Sequence, residues 1–168
     1  RGLDIYSLGA MSGLVVGGTI QPNNIFSLDT TDGDFRNLGH VGTGEMYSIL
    51  CQGPAQVLMA DYPDGDLWLL DPTAPWDAGN VSGVSNPEWV ALQPPYGLMR
   101  PMALVQGSDP GIVWVGGVGD YGTSGGALVR VRLRDRNVTH YRAPFEKFGI
   151  ASLAFDSTTG WLCVAANV

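Results

Sequence analysis

The order of hydrophobic and polar residues along the chain predicts short β-strands. Three segments, at 15–29, 57–71 and 113–132, each begin with an apolar run, pass through a turn rich in Gly, Pro, Asp or Asn, and continue as a strand of alternating character. This is the pattern of a β-hairpin. A fourth copy begins at Trp161 with WLCVAANV. No stretch of the sequence shows the 3.6-residue hydrophobic periodicity of a helix over a useful length.

Each hairpin lies between two further strands. Apolar strands precede the four copies as IYSLGA at Ile5, MYSILC at Met46, MALVQG at Met102 and IASLAF at Ile150. Short strands follow the first three as FRNLG at Phe35, EWVALQ at Glu88 and VTHYR at Val138. The chain therefore contains a four-stranded repeat at intervals of about 40 to 55 residues, close to the length of a propeller blade.

Within this repeat, glycine pairs and aromatic residues resemble a known blade type. Gly17-Gly18 and Gly116-Gly117 end second strands, and in the first and second repeats a third strand and a turn lead on to an aromatic residue, Phe35 or Trp89. This arrangement resembles the kelch repeat. The segments YPDGDLWLLDP and GDYGTSGGAL are also similar to blades of secreted, PQQ-like or kelch-like bacterial propellers, some of which belong to polysaccharide-degrading enzymes. Ala60-Asp61 and Ala165-Ala166 depart from the kelch glycine pair.

The resemblance implies an all-β fold, a β-propeller of about three and a half four-stranded antiparallel blades. We expect one partial propeller domain over residues 1–168, with blades at about 3–39, 44–93 and 98–142 and a half blade at 146–168. Closed rings have about four to eight blades, and an open stack exposes strand edges. We therefore expect a seven- or eight-bladed ring, with the remaining blades supplied by a longer chain or by a second chain.

Composition and charge narrow the function classes. Hydrophobic residues make up 45% of the chain and charged residues 15%, which suits a folded domain. The net charge of −7 and the single lysine argue against nucleic-acid binding, which needs a basic face. No apolar run approaches the roughly 20 residues of a membrane span, so no membrane partner is expected. The resemblance to secreted propellers implies an extracellular or periplasmic location.

Candidate site residues follow from the arrangement of loops that the resemblance implies. In a propeller, the loops that enter the first strands and those that join second and third strands share one face. Aligning the repeats on Ser7, Ser48, Ala103 and Ser152 places Asp4, Glu45, Arg100 and Gly149 at one equivalent position. We consider two interpretations of the three charged residues there. They form a polar binding ring in which Arg100 holds an anionic group, or they pair with one another around a water-filled channel.

The loops of the same implied face add polar and aromatic candidates. The ligand-binding candidates in these loops are Asp61, Asp120, Tyr96 and Lys147, and the candidates for a catalytic base are Tyr62, Tyr121 and His40. No metal-ligand spacing, nucleophile elbow or phosphate-binding loop is present in the sequence. We therefore predict no metal and no cofactor.

Three functions are compatible with these residues. The leading hypothesis is a domain that binds carbohydrate or another polar ligand on the loop face. The second is a polysaccharide lyase, in which Tyr62, Tyr121 or His40 removes a proton beside a uronic carboxylate and Arg100 or Lys147 stabilises the developing charge. The third is a kelch-like scaffold for protein interactions.

Overall fold

The computed structural model describes residues 4–20, 22–53, 55–79, 84–92 and 98–167. These residues form two compact units, 1–91 and 92–168. Unit 1 contains the strands β1 (Asp4–Met11), β2 (Leu14–Ile20), β3 (Ile25–Asp29), β4 (Phe35–Gly39), β5 (Met46–Gln52), β6 (Gln56–Asp61), β7 (Leu67–Leu70) and β8 (Glu88–Val90). Unit 2 contains the strands β9 (Arg100–Gln106), β10 (Ile112–Val118), β11 (Gly126–Arg132), β12 (Asn137–Arg142), β13 (Gly149–Asp156) and β14 (Trp161–Asn167).

The strands form four antiparallel sheets, each built from consecutive strands. Sheet 1 is β1–β4, sheet 2 is β5–β8, sheet 3 is β9–β12, and sheet 4 is the hairpin β13–β14. The part of the chain that the structure describes contains no helix. The prediction of an all-β fold with a four-stranded repeat is therefore confirmed. Alternating short strands and tight turns leave no room for helical hydrogen bonding over more than a few residues.

The first strand of every sheet carries a β-bulge at the same place. The register shifts between Ile5 and Ser7 in β1, between Met46 and Ser48 in β5, and between Ile150 and Ser152 in β13. In sheet 3 the shift lies where β9 and β10 pair, between Gly116 and Val118. A bulge inserts one residue, increases the local twist and redirects the neighbouring side chains. The β-bulge is therefore part of the structural repeat and recurs at the equivalent place in all four sheets.

The strand register shows which residue of each glycine pair occupies the equivalent position. The residues opposite Ser7, Ser48, Ala103 and Ser152 are Gly18, Ala60, Gly116 and Ala165. Gly17 lies one position earlier, opposite Leu8, so the pairs Gly17-Gly18 and Gly116-Gly117 are out of register by one residue. What recurs is a single small residue, not a glycine pair.

Close packing between neighbouring sheets explains the small residue. A Cβ on Gly18 would lie 2.8 Å from Cβ of Met46 in β5, and one on Gly116 would lie 2.5 Å from Cγ2 of Ile150 in β13. Met46 and Ile150 are equivalent, since each pairs with the residue just after the small position. Within each unit, the first strand of the later sheet therefore packs directly on the second strand of the earlier one, β5 on β2 in unit 1 and β13 on β10 in unit 2.

The cores of the two units consist mainly of residues from the second and third strands. In unit 1 the buried cluster comprises Val16, Ile25, Val41, Met46, Val57, Met59, Trp68 and Leu70. In unit 2 the fully buried side chains include Val113, Val115, Val129 and Ile150. No helix among the described residues is long and apolar enough to span a membrane.

Candidate functional site

Two predicted residues of unit 1 lie at the entrance of the first strands. Asp4 is the first residue of β1 and is exposed, and Glu45 immediately precedes β5 and is half-buried. The Glu45 carbonyl accepts a hydrogen bond from the Tyr62 backbone N–H at 2.9 Å, where β5 meets the end of β6. Asp4 lies opposite Ile20 at the corresponding point of sheet 1. The two acidic residues therefore occupy equivalent positions at the backbone level.

Asp61, a predicted ligand-binding residue, is completely buried at the end of β6. Its Oδ1 accepts the Asp66 backbone N–H at 2.9 Å, and its backbone N–H donates to the Asp66 carbonyl at 3.1 Å, so the residue closes the β6–β7 turn. Burial raises the pKa of Asp61 to about 7, against the opposing effects of the Trp68 indole N–H and the Asp66 N–H. Asp61 therefore does not present its carboxyl group at the surface.

Trp68 only partly compensates the buried carboxyl group of Asp61. The Asp61 Oδ2 and Trp68 Nε1 atoms are both buried, and neither has a partner that meets hydrogen-bond geometry. The indole N–H opposes the rise in the Asp61 pKa without meeting the geometry of a hydrogen bond. Because hydrogen-bond strength falls as distance and angle depart from the ideal, this interaction offsets only part of the cost of burying the carboxyl group.

Three tyrosines of unit 1 form a continuous row. The rings of Tyr6 and Tyr47 have centroids 4.8 Å apart, and those of Tyr47 and Tyr62 are 5.5 Å apart. Tyr6 is 45% exposed, and the other two rings are half-buried. We call these three residues the tyrosine row. It joins the predicted site residue Tyr62 to two residues that sequence reasoning did not single out.

The bulges and one hydrogen bond bring the row together. Tyr6 and Tyr47 are the bulged residues of β1 and β5, so they project from equivalent points of neighbouring sheets. The Ser7 hydroxyl donates to the Met46 carbonyl at 2.6 Å and ties the two strands side by side. The signal was present in the sequence as a repeated Tyr-Ser, at Tyr6-Ser7 and Tyr47-Ser48. It was hidden because both tyrosines fit an ordinary strand pattern.

His40 precedes β5 in the loop that follows β4. Its side chain is exposed, and it lines a shallow depression together with Thr19, Asn24 and Met46. Its role as a catalytic base stays a prediction.

In unit 2, Arg100 and Tyr121 meet directly. Arg100 is the first residue of β9, and its guanidinium carbon lies 4.4 Å from the centroid of the Tyr121 ring. Tyr121 is 68% exposed in the loop between β10 and β11. A guanidinium at this distance from an aromatic face is attracted by the ring quadrupole. The structure therefore places a cation and an accessible aromatic ring side by side.

The remaining predicted residues of unit 2 lie near the same loop. Asp120 is exposed, and its Oδ1 accepts the Tyr121 backbone N–H at 2.6 Å. Lys147 is exposed, and its carbonyl accepts the Gly125 N–H at 3.0 Å, which joins the loop before β13 to that before β11. Tyr96 lies outside the described residues. Within the described ranges, no group of three His, Cys, Asp or Glu side chains is placed to hold a metal ion.

Comparison with solved structures identifies the architecture. The extracellular domain of BT4673 from B. thetaiotaomicron, which is named as a hybrid two-component system, superimposes with a TM-score of 0.70 at 16% identity over 97% of this chain. The β-propeller domain of Cps50 (Swd1) from Myceliophteria thermophila does so with a TM-score of 0.68 at 17% identity over 97%. The chain has a β-propeller fold. Its sheets are propeller blades, three complete and one represented by two strands.

The similarity concerns the fold alone. A streptogramin B lyase structure superimposes with a TM-score of 0.71 at 15% identity, again over 97% of this chain. The chain spans 20% of the BT4673 structure, 49% of the Cps50 domain and 48% of the lyase. No protein-family model matches this propeller sequence, and a search of curated proteins found no match.

Proposed function

We propose that this propeller binds carbohydrate through the tyrosine row of unit 1. The observation that carries the proposal is the row itself, three tyrosine rings in contact with Tyr6 45% exposed at one end. Aromatic faces pack on the apolar faces of sugar rings, and the phenol groups supply hydrogen bonds at their edges. Glu45 lies two residues before Tyr47 in the chain, and its carboxylate can accept hydrogen bonds from sugar hydroxyls.

The charge of the chain favours neutral sugars at this place. The net charge is −7, and the residues at the entrances of β1 and β5 are both acidic, Asp4 and Glu45. Anionic polymers would be repelled there, whereas a neutral glycan meets only acceptors and aromatic rings. The extracellular domain among the similar structures accords with a location where glycans are met, and we infer the same location for this chain.

Binding to an array of neutral oligosaccharides tests the proposal, followed by titration calorimetry with the strongest binder. Tyr6→Ala removes the exposed ring and is expected to weaken binding about tenfold, since an aromatic contact contributes about 0.5–1.5 kcal/mol beyond its buried area. Tyr141→Ala is the matched control, because Tyr141 is also exposed and also contacts another ring, that of Trp114 at 5.8 Å. Equal affinities of the two variants would contradict the proposal.

The Arg100–Tyr121 pair favours a second candidate function, a lyase acting on uronate polymers. Such a reaction needs a base to remove the proton beside the carboxylate and a cation to stabilise the charge that develops. Tyr121 would supply the base and Arg100, 4.4 Å from its ring, the cation. Incubation with uronate polymers would then generate unsaturated ends, and Tyr121→Phe would abolish them. The protein-scaffold hypothesis instead predicts neither product nor saturable sugar binding.

A further inference from the structure

A cavity of about 190 Å³ opens in unit 1 between sheet 1 and the segment that joins β7 to β8. None of the residues of the tyrosine row lines it, nor do Asp4, Glu45, Asp61 and His40. It therefore belongs to neither of the functions considered above. Its lining is mainly apolar, with Ser27 and Arg36 as the polar exceptions.

The floor of the cavity is one face of sheet 1. Val16, Ser27 and Arg36 lie directly opposite one another on β2, β3 and β4, so their side chains share a face. Leu14 and Leu38, two residues along their strands, lie on the same face and also line the cavity. Ser27 is the small residue at the centre of this row, and its size leaves the space open.

The facing wall is formed by Pro72, Pro75 and Trp76, and a single residue holds it in place. The Asn86 side-chain amide donates to the carbonyls of Asp71, Ala74 and Pro75, at 2.9, 3.2 and 3.0 Å. Its Oδ1 accepts the Asp71 N–H at 2.9 Å. A wall fixed in this way loses little conformational entropy when a ligand enters.

The size and chemistry of the cavity define what fits. An apolar cavity of about 150 Å³ in another protein is known to hold benzene, so 190 Å³ accommodates one six-membered ring. Arg36 places a guanidinium at the lining, and Asp34 engages its Nε and Nη2 through a single oxygen at 2.7 Å. The remaining guanidinium N–H groups are geometrically suited to a planar oxyanion.

We propose that this cavity binds a small aromatic carboxylate, with the ring between Ser27 and Trp76 and the carboxylate on Arg36. The ring replaces water against the half-buried side chains of Leu14, Leu38 and Trp76. The carboxylate forms a charge-assisted contact at the polar side of the lining. Ring and charge together distinguish this ligand from the neutral sugars proposed for the tyrosine row.

Titration of the 168-residue chain with benzoate, followed by NMR of the tryptophan indole N–H signals, tests this proposal. The Trp76 signal, assigned from Trp76→Phe, is expected to shift saturably at millimolar benzoate. Arg36→Gln should weaken benzoate binding about tenfold, as expected for loss of a charged hydrogen-bond partner. Arg132→Gln is the matched control, because Arg132 also forms an ion pair with a nearby aspartate, Asp135 at 2.8 Å, but does not line the cavity.

Filling the cavity gives an independent test. Ser27→Leu should abolish the shift of the Trp76 signal, and Ser27→Val, a smaller change suited to a strand, should reduce it if the larger variant does not fold. Undiminished benzoate binding by the filled variant or by Arg36→Gln would overturn the proposal. Toluene binding as tightly as benzoate would overturn the assignment of the carboxylate to Arg36.

Discussion

Asp61 shows how the fold changes the chemistry of a single residue. In the sequence it is one of several acidic residues in a turn, whereas in the structure it is completely buried and its pKa is raised to about 7. Burial disfavours the charged carboxylate, and the Trp68 indole, which does not meet hydrogen-bond geometry with it, compensates only part of that cost. The carboxyl group therefore links the stability of sheet 2 to pH.

The sign of this dependence follows from the raised pKa. Between the ordinary value of 3.8 and about 7, the unfolded chain has released the Asp61 proton while the folded chain retains it. The free energy of unfolding therefore falls as the pH rises through this window, by up to about 4 kcal/mol, and levels off above it. Urea denaturation between pH 4 and pH 8 measures this decline.

Substitution of Asp61 isolates its contribution. Asp61→Asn keeps an oxygen acceptor for the Asp66 N–H and should remove most of the decline between pH 4 and pH 7. Asp64→Asn, in the same turn but exposed and hydrogen-bonded to the Thr43 hydroxyl at 2.8 Å, should keep it. If the Asp61→Asn protein shows the same pH dependence as the wild type, the buried carboxyl group is not its source.

At the residue scale, the sequence indicated which residues belong to the candidate sites, but it did not predict which of them lie in contact. Arg100 and Tyr121 were both predicted from their loops, and the structure brings them to 4.4 Å. Tyr6 and Tyr47 were missed because a strand tyrosine is ordinarily a packing residue. Their exposure depends on the bulges in β1 and β5, and a bulge leaves no mark in hydrophobic alternation.

At the scale of strands and sheets, the recurring small residue is the contact that sets neighbouring sheets together. Gly116 faces Ile150, and a Cβ at this position would lie 2.5 Å from Cγ2 of Ile150 and 3.1 Å from Leu153. Gly116→Ala is therefore expected to lower the free energy of unfolding by about 1–3 kcal/mol, as overpacking does. In a protein that already carries Ile150→Ala, Gly116→Ala should lower the free energy of unfolding by much less.

A double-mutant cycle by urea denaturation measures this coupling. The two residues touch, so their effects should not add, and a coupling of about 1 kcal/mol or more is expected. Gly122→Ala serves as a reference for the loss of a glycine without crowding, since a Cβ there meets no atom within 4 Å, although its φ of +76° adds strain of a different origin. Additive effects of Gly116→Ala and Ile150→Ala would contradict the packing described here.

Strand order and strand type were predictable because alternation and turn residues are local signals. Phe35 and Glu88 begin strands in the structure where the sequence pattern placed them. The equivalence of single residues is less visible than strand order, because Gly18 and Gly116 occupy equivalent positions while the two glycine pairs as units do not. Register depends on the bulge and on packing against Met46 and Ile150, both of which are contacts between distant parts of the chain.

At the scale of the whole molecule, each unit exposes apolar strand residues that a propeller normally covers with a further blade. In unit 1, Ile5 and Leu8 of β1 are 56% and 55% exposed, and in unit 2 Trp161 of β14 is 72% exposed. We propose that additional blades, from a longer polypeptide or a second copy of this chain, cover these residues.

Native mass spectrometry of the 168-residue chain tests this proposal. Exposed apolar faces of this size favour association, so we expect a mass that is a multiple of 17.8 kDa at micromolar concentration. Trp161→Arg should shift the population toward the single-chain mass, because it places a charge on the exposed face. A single-chain mass at every concentration would contradict association through these residues.

The tyrosine row is the central claim, and NMR of the tyrosine rings tests it most directly. The chain has six tyrosines, so selective ring labelling gives a spectrum in which each can be assigned by substitution to Phe. Addition of the strongest-binding neutral oligosaccharide is expected to shift the signals of Tyr6, Tyr47 and Tyr62 together and to leave Tyr141 unchanged. Shifts confined to Tyr121 or Tyr141, with the three signals of the row unmoved, would contradict it.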